Sequence, residues 1–190
     1  MFGQNLEAVA KFVGLHDRGM AVLPPAVLFD KYRKVFAAAQ RHARQFPLER
    51  YNENVIPNRE RRIRHMNFHL FRIGEAFLEA WDGAEYTPKI ASNPPDDSLQ
   101  SGADIARYGA DVLARFETWW AGVDDRTLSR KFRTFFGEVT GHHLLERSTW
   151  HSAQHGRQLM AVLERMGIPP EGPLTADDLA GLPLPERFWE

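Results

Sequence analysis

Four stretches of roughly twenty residues carry apolar side chains at steps of three and four, and proline or glycine fences each of them. Few architectures other than a bundle of amphipathic helices satisfy that pattern. After Pro24-Pro25, the residues Leu28, Tyr32, Val35, Ala39, His42 and Phe46 keep one register, and Pro47 stops it. A second helix is expected over about 58–83, with Asn58 as N-cap and Ile63, Met66, Leu70, Ile73 and Phe77 on its stripe. The third, about 102–122, shows Ile105, Tyr108, Val112, Phe116 and Trp119. Gly137 is expected to open the fourth, about 138–166, which Gly167 and Pro169-Pro170 end.

The run TPKIASNPPDDSLQSG predicts a long crossover rather than a domain break. Residues 127–136 mix periodicities and favour a short extended segment or hairpin. In the tail, Thr175 caps a short helix over 175–180, and the rest is extended and held on the surface by Leu182, Leu184, Phe188 and Trp189. The expectation is therefore all-α: a four-helix bundle domain over 25–190 with its tail, preceded by an extension over 1–24 with a short helix. No repeated unit suggests a solenoid.

A chain of 190 residues buries roughly 70% of the surface it exposes when unfolded, so its core needs no covalent staple. It has no cysteine, which excludes disulfides, cysteine nucleophiles, thiolate metal sites and Fe–S clusters, and leaves His, Asp and Glu as metal ligands. With 24 Lys+Arg against 25 Asp+Glu the net charge is −1, which argues against nucleic acid as a partner. No apolar run approaches the ~20 residues of a membrane span, and the opening residues lack the pattern of a secretory signal. A cytoplasmic protein is expected.

Two helices each carry a His pair at i, i+4: His65/His69 and His151/His155. On the last helix Leu144, Ser148, His151, His155, Leu159, Val162 and Met166 share one stripe, so both imidazoles point into the bundle. Residues one turn apart have Cβ atoms about 5–6 Å apart, close enough for two imidazoles to hold one ion. The alternative is a pair of core histidines bonded to Tyr32, Tyr108 or Ser148. A third ligand should come from a facing helix. His69, beside Met66 and Ile73, is preferred over His65, which sits on a more solvated edge among Arg61, Arg62 and Arg72. His42 is a candidate fourth ligand or neighbour of the site, with a hydrogen-bonded core histidine as the alternative. His142 and His143 lie too far towards the helix start, and His16 falls in a loop.

HSAQH lacks the glutamate of an HExxH peptidase, and no GxSxG, GxxxxGK[ST] or GxGxxG motif occurs. Neither His151 nor His155 has a glutamate three residues earlier, so a mononuclear site fits better than a di-iron one. The run from Arg59 to Arg64 is best taken as a solvated helix face, although it could bind an anion. Trp119, Trp120 and Trp150 are core residues or the walls of a ligand pocket.

The segment His151-Ser-Ala-Gln-His155-Gly-Arg157-Gln158-Leu, followed by Met166-Gly167, resembles the HxxxHRxQ pattern on the last long helix of the DinB/YfiT-like superfamily of metal-dependent bundle proteins. His69-Leu70, with Glu75 and Leu78 following, resembles that family's ligand position on the second helix. The likeness covers about residues 25–190 and implies an up-up-down-down bundle. It also implies a divalent metal, zinc or nickel, held by His69, His151 and His155. Arg147 stands four residues before His151, in place of a carboxylate ligand. Some family branches resemble thiol S-transferases or isomerases. The opening GQNLEAVAKFVGL is also similar to the closing helix of a glutaredoxin-like domain.

Three functions follow as expectations. One is a metal-dependent transferase or related enzyme using a low-molecular-weight thiol such as glutathione on a small-molecule substrate. Arg157 and Gln158 would then contact the ligands or the substrate, with His42 and His65 nearby. Another is a non-catalytic metal-binding or small-ligand-binding stress-response bundle. The third is a structural dimer with ordinary core histidines, and base rates favour a homodimer in any case.

Overall fold

The computed structural model describes residues 22–55 and 61–186. The expected helix within 1–24, the Asn58 cap and the packing of Phe188 and Trp189 lie outside the described residues. The fold is mostly helical with one small two-stranded sheet. Its long helices are α1 (Pro25–Gln45), α2 (Ile63–Trp81), α4 (Gly102–Gly122) and α5 (Gly141–Arg165). Between them lie a short α3 (Pro88–Ser92) and a hairpin of β1 (Lys131–Thr134) and β2 (Gly137–Thr140), and a final turn α6 (Ala176–Leu179) follows.

Local chemistry explains most of these boundaries. Proline opens α1, and extended Phe46 before Pro47 closes it. Ser101 and Asp104 form a reciprocal capping box on α4, and Thr175 and Asp178 form one on α6. Helix α2 starts later than the expected residue 58. Its N-cap is Arg62, which offers no side-chain cap. Carbonyls of the preceding strand-like segment take over that role, since Ile63 N donates to Glu53 O and Arg64 N to Tyr51 O.

Gly137 does not open the last helix. It sits at φ +119°, a conformation that favours glycine, and begins the second strand, which pairs Lys131 with Thr140 through Thr134 with Gly137. Thr140 then caps α5 by accepting from His143 N. At the other end of α5, Gly167 at φ +75° lets Ile168 N reach back to Leu163 O.

The long helices pack around a core of fully buried Tyr32, Phe36, Phe71, Phe77 and Phe116. Each such side chain stabilises the fold by roughly 1.5–3 kcal/mol relative to exposure. Contacts along the helices fix their directions. The His142 ring meets Leu23 O at the start of the α1–α5 pair, the Tyr32 hydroxyl meets Ser152 near its middle, and Gln45 reaches Pro169 at its far end, so these two helices run parallel. Phe29 stacks on Phe116 while Gly102 lies under Ala43, so α1 and α4 are antiparallel. Phe68 on Tyr108 and Phe77 on Trp119 make α2 and α4 parallel, whereas His69 on His155 with Trp81 at Gly141 makes α2 and α5 antiparallel.

The chain therefore runs up, down, down, up, which corrects the expected up-up-down-down order. The reason is the position of the long crossover. It joins α2 to α4 and runs back along α2, where Arg72 donates to Ile90 O and Asn93 Oδ1 and Arg64 donates to Asp96 O and Leu99 O. No helix among the described residues is long and apolar enough to cross a membrane.

Candidate metal centre

His151 and His155 lie one turn apart on the face of α5 that meets α2, and between them Ser152 locks the two helices together. Ser152 Oγ donates to Leu70 O at 2.9 Å and takes the Tyr32 hydroxyl at 3.1 Å. That junction lies one residue from His69 and one from His151, so it fixes the register in which the three imidazoles meet. Their ring centroids are 5.5 Å (His69–His151), 5.0 Å (His69–His155) and 4.9 Å (His151–His155) apart. One ligand nitrogen from each lies within 4.8 Å of the others. A modest inward adjustment brings three such atoms to the ~2.0–2.1 Å Zn–N distance around one ion.

The protonation of the rings suits that role. His155 Nδ1 lies 2.8 Å from Gln158 Oε1, an acceptor, so Nδ1 carries the proton and Nε2 keeps its lone pair. Nε2 is buried and has no hydrogen-bond partner among the described residues. A buried, unsatisfied acceptor costs free energy unless something fills it, and a cation could do so here. Burial pushes His155 down to about 3, with the nearby His69 ring adding to the effect and the Gln158 bond opposing it. Burial likewise pushes His69 down to about 4; Arg61 and Arg72 add to this, and a hydrogen bond to the Ala91 backbone opposes it. His151 is lowered well below the ordinary histidine value by burial, its two partner rings, Arg147 and Arg61. All three are thus neutral near pH 7, the form that binds metal.

The surroundings are cationic. Arg61, Arg72 and Arg147 are the charged side chains that act on the three rings, and no carboxylate among the described residues does so. The ring neighbours, Gln158 and the Ala91 backbone, are neutral. Trp150 stacks on His151 at 5.6 Å. Through α3, which carries Ala91, the crossover held by Arg72 reaches the site.

Of the other residues singled out from sequence, Gln158 joins the centre directly through His155. Arg157 donates instead to Gln154 Oε1 and Pro185 O, tying the tail to α5. His42 is not in the cluster. It is buried at the C-terminal end of α1 with Nε2 3.1 Å from Glu171 O, and burial holds it down at about 4. His65 is half-buried and outside the cluster, lowered by burial and by Arg64 and Arg62. Trp119 and Trp120 join the Phe29–Phe116 aromatic cluster, so only Trp150 of the three tryptophans borders the imidazoles.

Arg64 belongs to the run expected to be a solvated face, yet it is buried, as is Arg72, and both grip the crossover. The signal was available in the eight-residue spacing of the two arginines, two turns on one side of α2, opposite a connection rich in free carbonyls. No protein-family model matches this chain, and no curated protein matches it.

Proposed function

We propose that this protein is a DinB/YfiT-like four-helix-bundle metalloprotein in which His69, His151 and His155 hold one divalent cation, zinc or nickel. It acts as a transferase or related enzyme that uses a low-molecular-weight thiol such as glutathione. The observation that carries this reading is the meeting of three neutral imidazoles from two helices, one with a buried lone pair that no group among the described residues takes up. Three protein ligands leave coordination positions open, as catalytic sites require. When bound, the ion supplies Lewis acidity, lowering the pKa of a coordinated thiol so that it is nucleophilic at neutral pH.

The chain's own residues set the rest. Gln158 holds the His155 tautomer, and the Ser152 junction holds the spacing. The absence of an acidic neighbour among the described residues leaves the charge of the ion for an exogenous anion to balance. With no cysteine in the chain, any reacting sulfur arrives with cofactor or substrate.

Elemental analysis of protein purified without a histidine tag tests the centre: about one equivalent per chain is expected, abolished in His151→Ala. A metal-free protein under that handling overturns the reading. Metal-loaded protein incubated with glutathione and a chloronitrobenzene then tests the activity. A rate no higher than that of His155→Ala, across several thiols and electrophiles, turns the assignment to a non-catalytic binder.

A further inference from the structure

Arg147 sits one turn before His151 on α5, and its field reaches that ring. Its guanidinium carbon lies 4.4 Å from the centroid of Phe136 and 5.7 Å from that of Trp150. The rings pack the side chain in place, but among the described residues no carboxylate or carbonyl takes its N–H groups. The contrast with its neighbours is sharp. Arg64 is spent on two backbone carbonyls, Arg72 on Glu75, Glu79 and the crossover, and Arg157 on Gln154 and Pro185.

The half-buried guanidinium keeps access to solvent, so its N–H groups are open to an incoming acceptor one turn from His151. Burial also weakens its hold on its proton, although an arginine stays charged throughout. Next to it, Trp150 Nε1 is a buried donor without a partner among the described residues. Both lie on the turn that carries His151. An acceptor brought in by the ligand can take up these donors, and a planar guanidinium fork matches a planar carboxylate by two parallel hydrogen bonds.

We propose that Arg147 is the recognition residue of this centre, taking a carboxylate of the small molecule whose other end reaches the ligand atoms of His69, His151 and His155. The aromatic rings of Phe136 and Trp150 hold the guanidinium in place for it. This assignment rests on the metal reading above and narrows its substrate class to carboxylate-bearing molecules.

The test loads the full chain with cobalt(II) and titrates it with 3-mercaptopropionate and its uncharged amide, followed by calorimetry and the cobalt absorption spectrum. The wild type should prefer the carboxylate by roughly tenfold to a hundredfold, the worth of a charge-assisted pair. In Arg147→Gln cobalt uptake and affinity for the amide should persist while the preference disappears. Arg147→Lys, which keeps the charge and loses the fork, should retain only part of it and serves if the glutamine variant does not fold. Equal affinity for the two probes, binding of neither, or a preference unchanged in the variant overturns this proposal and leaves the metal reading standing. A chain that takes up no cobalt overturns the metal reading and this proposal with it.

Discussion

At the scale of single residues, His155 owes its readiness to one side chain. Because Gln158 accepts the Nδ1 proton, the lone pair sits on Nε2, the nitrogen left free to bind an ion. Gln158→Leu removes that acceptor, and metal affinity should fall by roughly tenfold to a hundredfold, read by competition with a chromogenic chelator. An unchanged affinity would mean that the tautomer is fixed by other means. The histidines were legible in the sequence because i, i+4 spacing on an apolar stripe leaves the rings one place to point. Arg147 was legible only as a missing carboxylate, since one position on a helix says nothing of which rings a distant hairpin will lay against it. Arg64 and Arg72 were misread because a long side chain on a polar-looking face can reach a connection whose path the sequence does not reveal.

Among the elements, the junction at Ser152 ties three helices in one chain of hydrogen bonds, from the Tyr32 hydroxyl through Ser152 Oγ to Leu70 O. Ser152→Ala leaves the buried Tyr32 hydroxyl without its acceptor and should destabilise the protein by about 1–3 kcal/mol in urea unfolding. Tyr32→Phe in the same background removes the orphaned group, so the double variant should lose less than the two single losses added together. Full additivity would show that the two hydroxyls do not depend on each other. Close approach sets a second constraint at the start of α4. A Cβ on Gly102 would lie 1.9 Å from Ala43 O, a backbone atom that cannot swing aside. Gly102→Ala should therefore cost about 1–3 kcal/mol, measured the same way, despite the better helix propensity of alanine. The helix stripes announced α1, α2, α4 and α5, but two starts were misplaced for physical reasons. Neighbouring carbonyls cap α2 where no side chain does, and Gly137 serves a hairpin turn rather than a helix.

For the molecule as a whole, the buried histidines make stability depend on pH in a direction their environments fix. His42 and His69 stand at about 4 and His155 at about 3, and His151 is also well below the ordinary 6.5. In the unfolded chain each titrates near 6.5. Between those values the unfolded state binds more protons than the folded one, so stability rises with pH across the window and is lost as pH falls from about 6.5 towards 4. Each proton taken up on unfolding contributes a slope of about 1.4 kcal/mol per pH unit. With chelator present, urea unfolding at pH 7.5, 6.5, 5.5 and 4.5 should show little change above 6.5. Below it the slope should exceed that of one proton. The carboxylates with lowered values, among them Glu75 and Asp178, release their share at more acid pH, whereas Glu146, which burial raises, holds its proton more tightly in the folded state and takes part of the slope away in the lower half of the window. His42 offers the control, because it lies outside the imidazole cluster and, among the described residues, bonds the Glu171 carbonyl through Nε2. His42→Gln should lower the slope by about one proton without changing metal uptake, and a slope equal to the wild type's would show that this histidine is not held neutral by the fold.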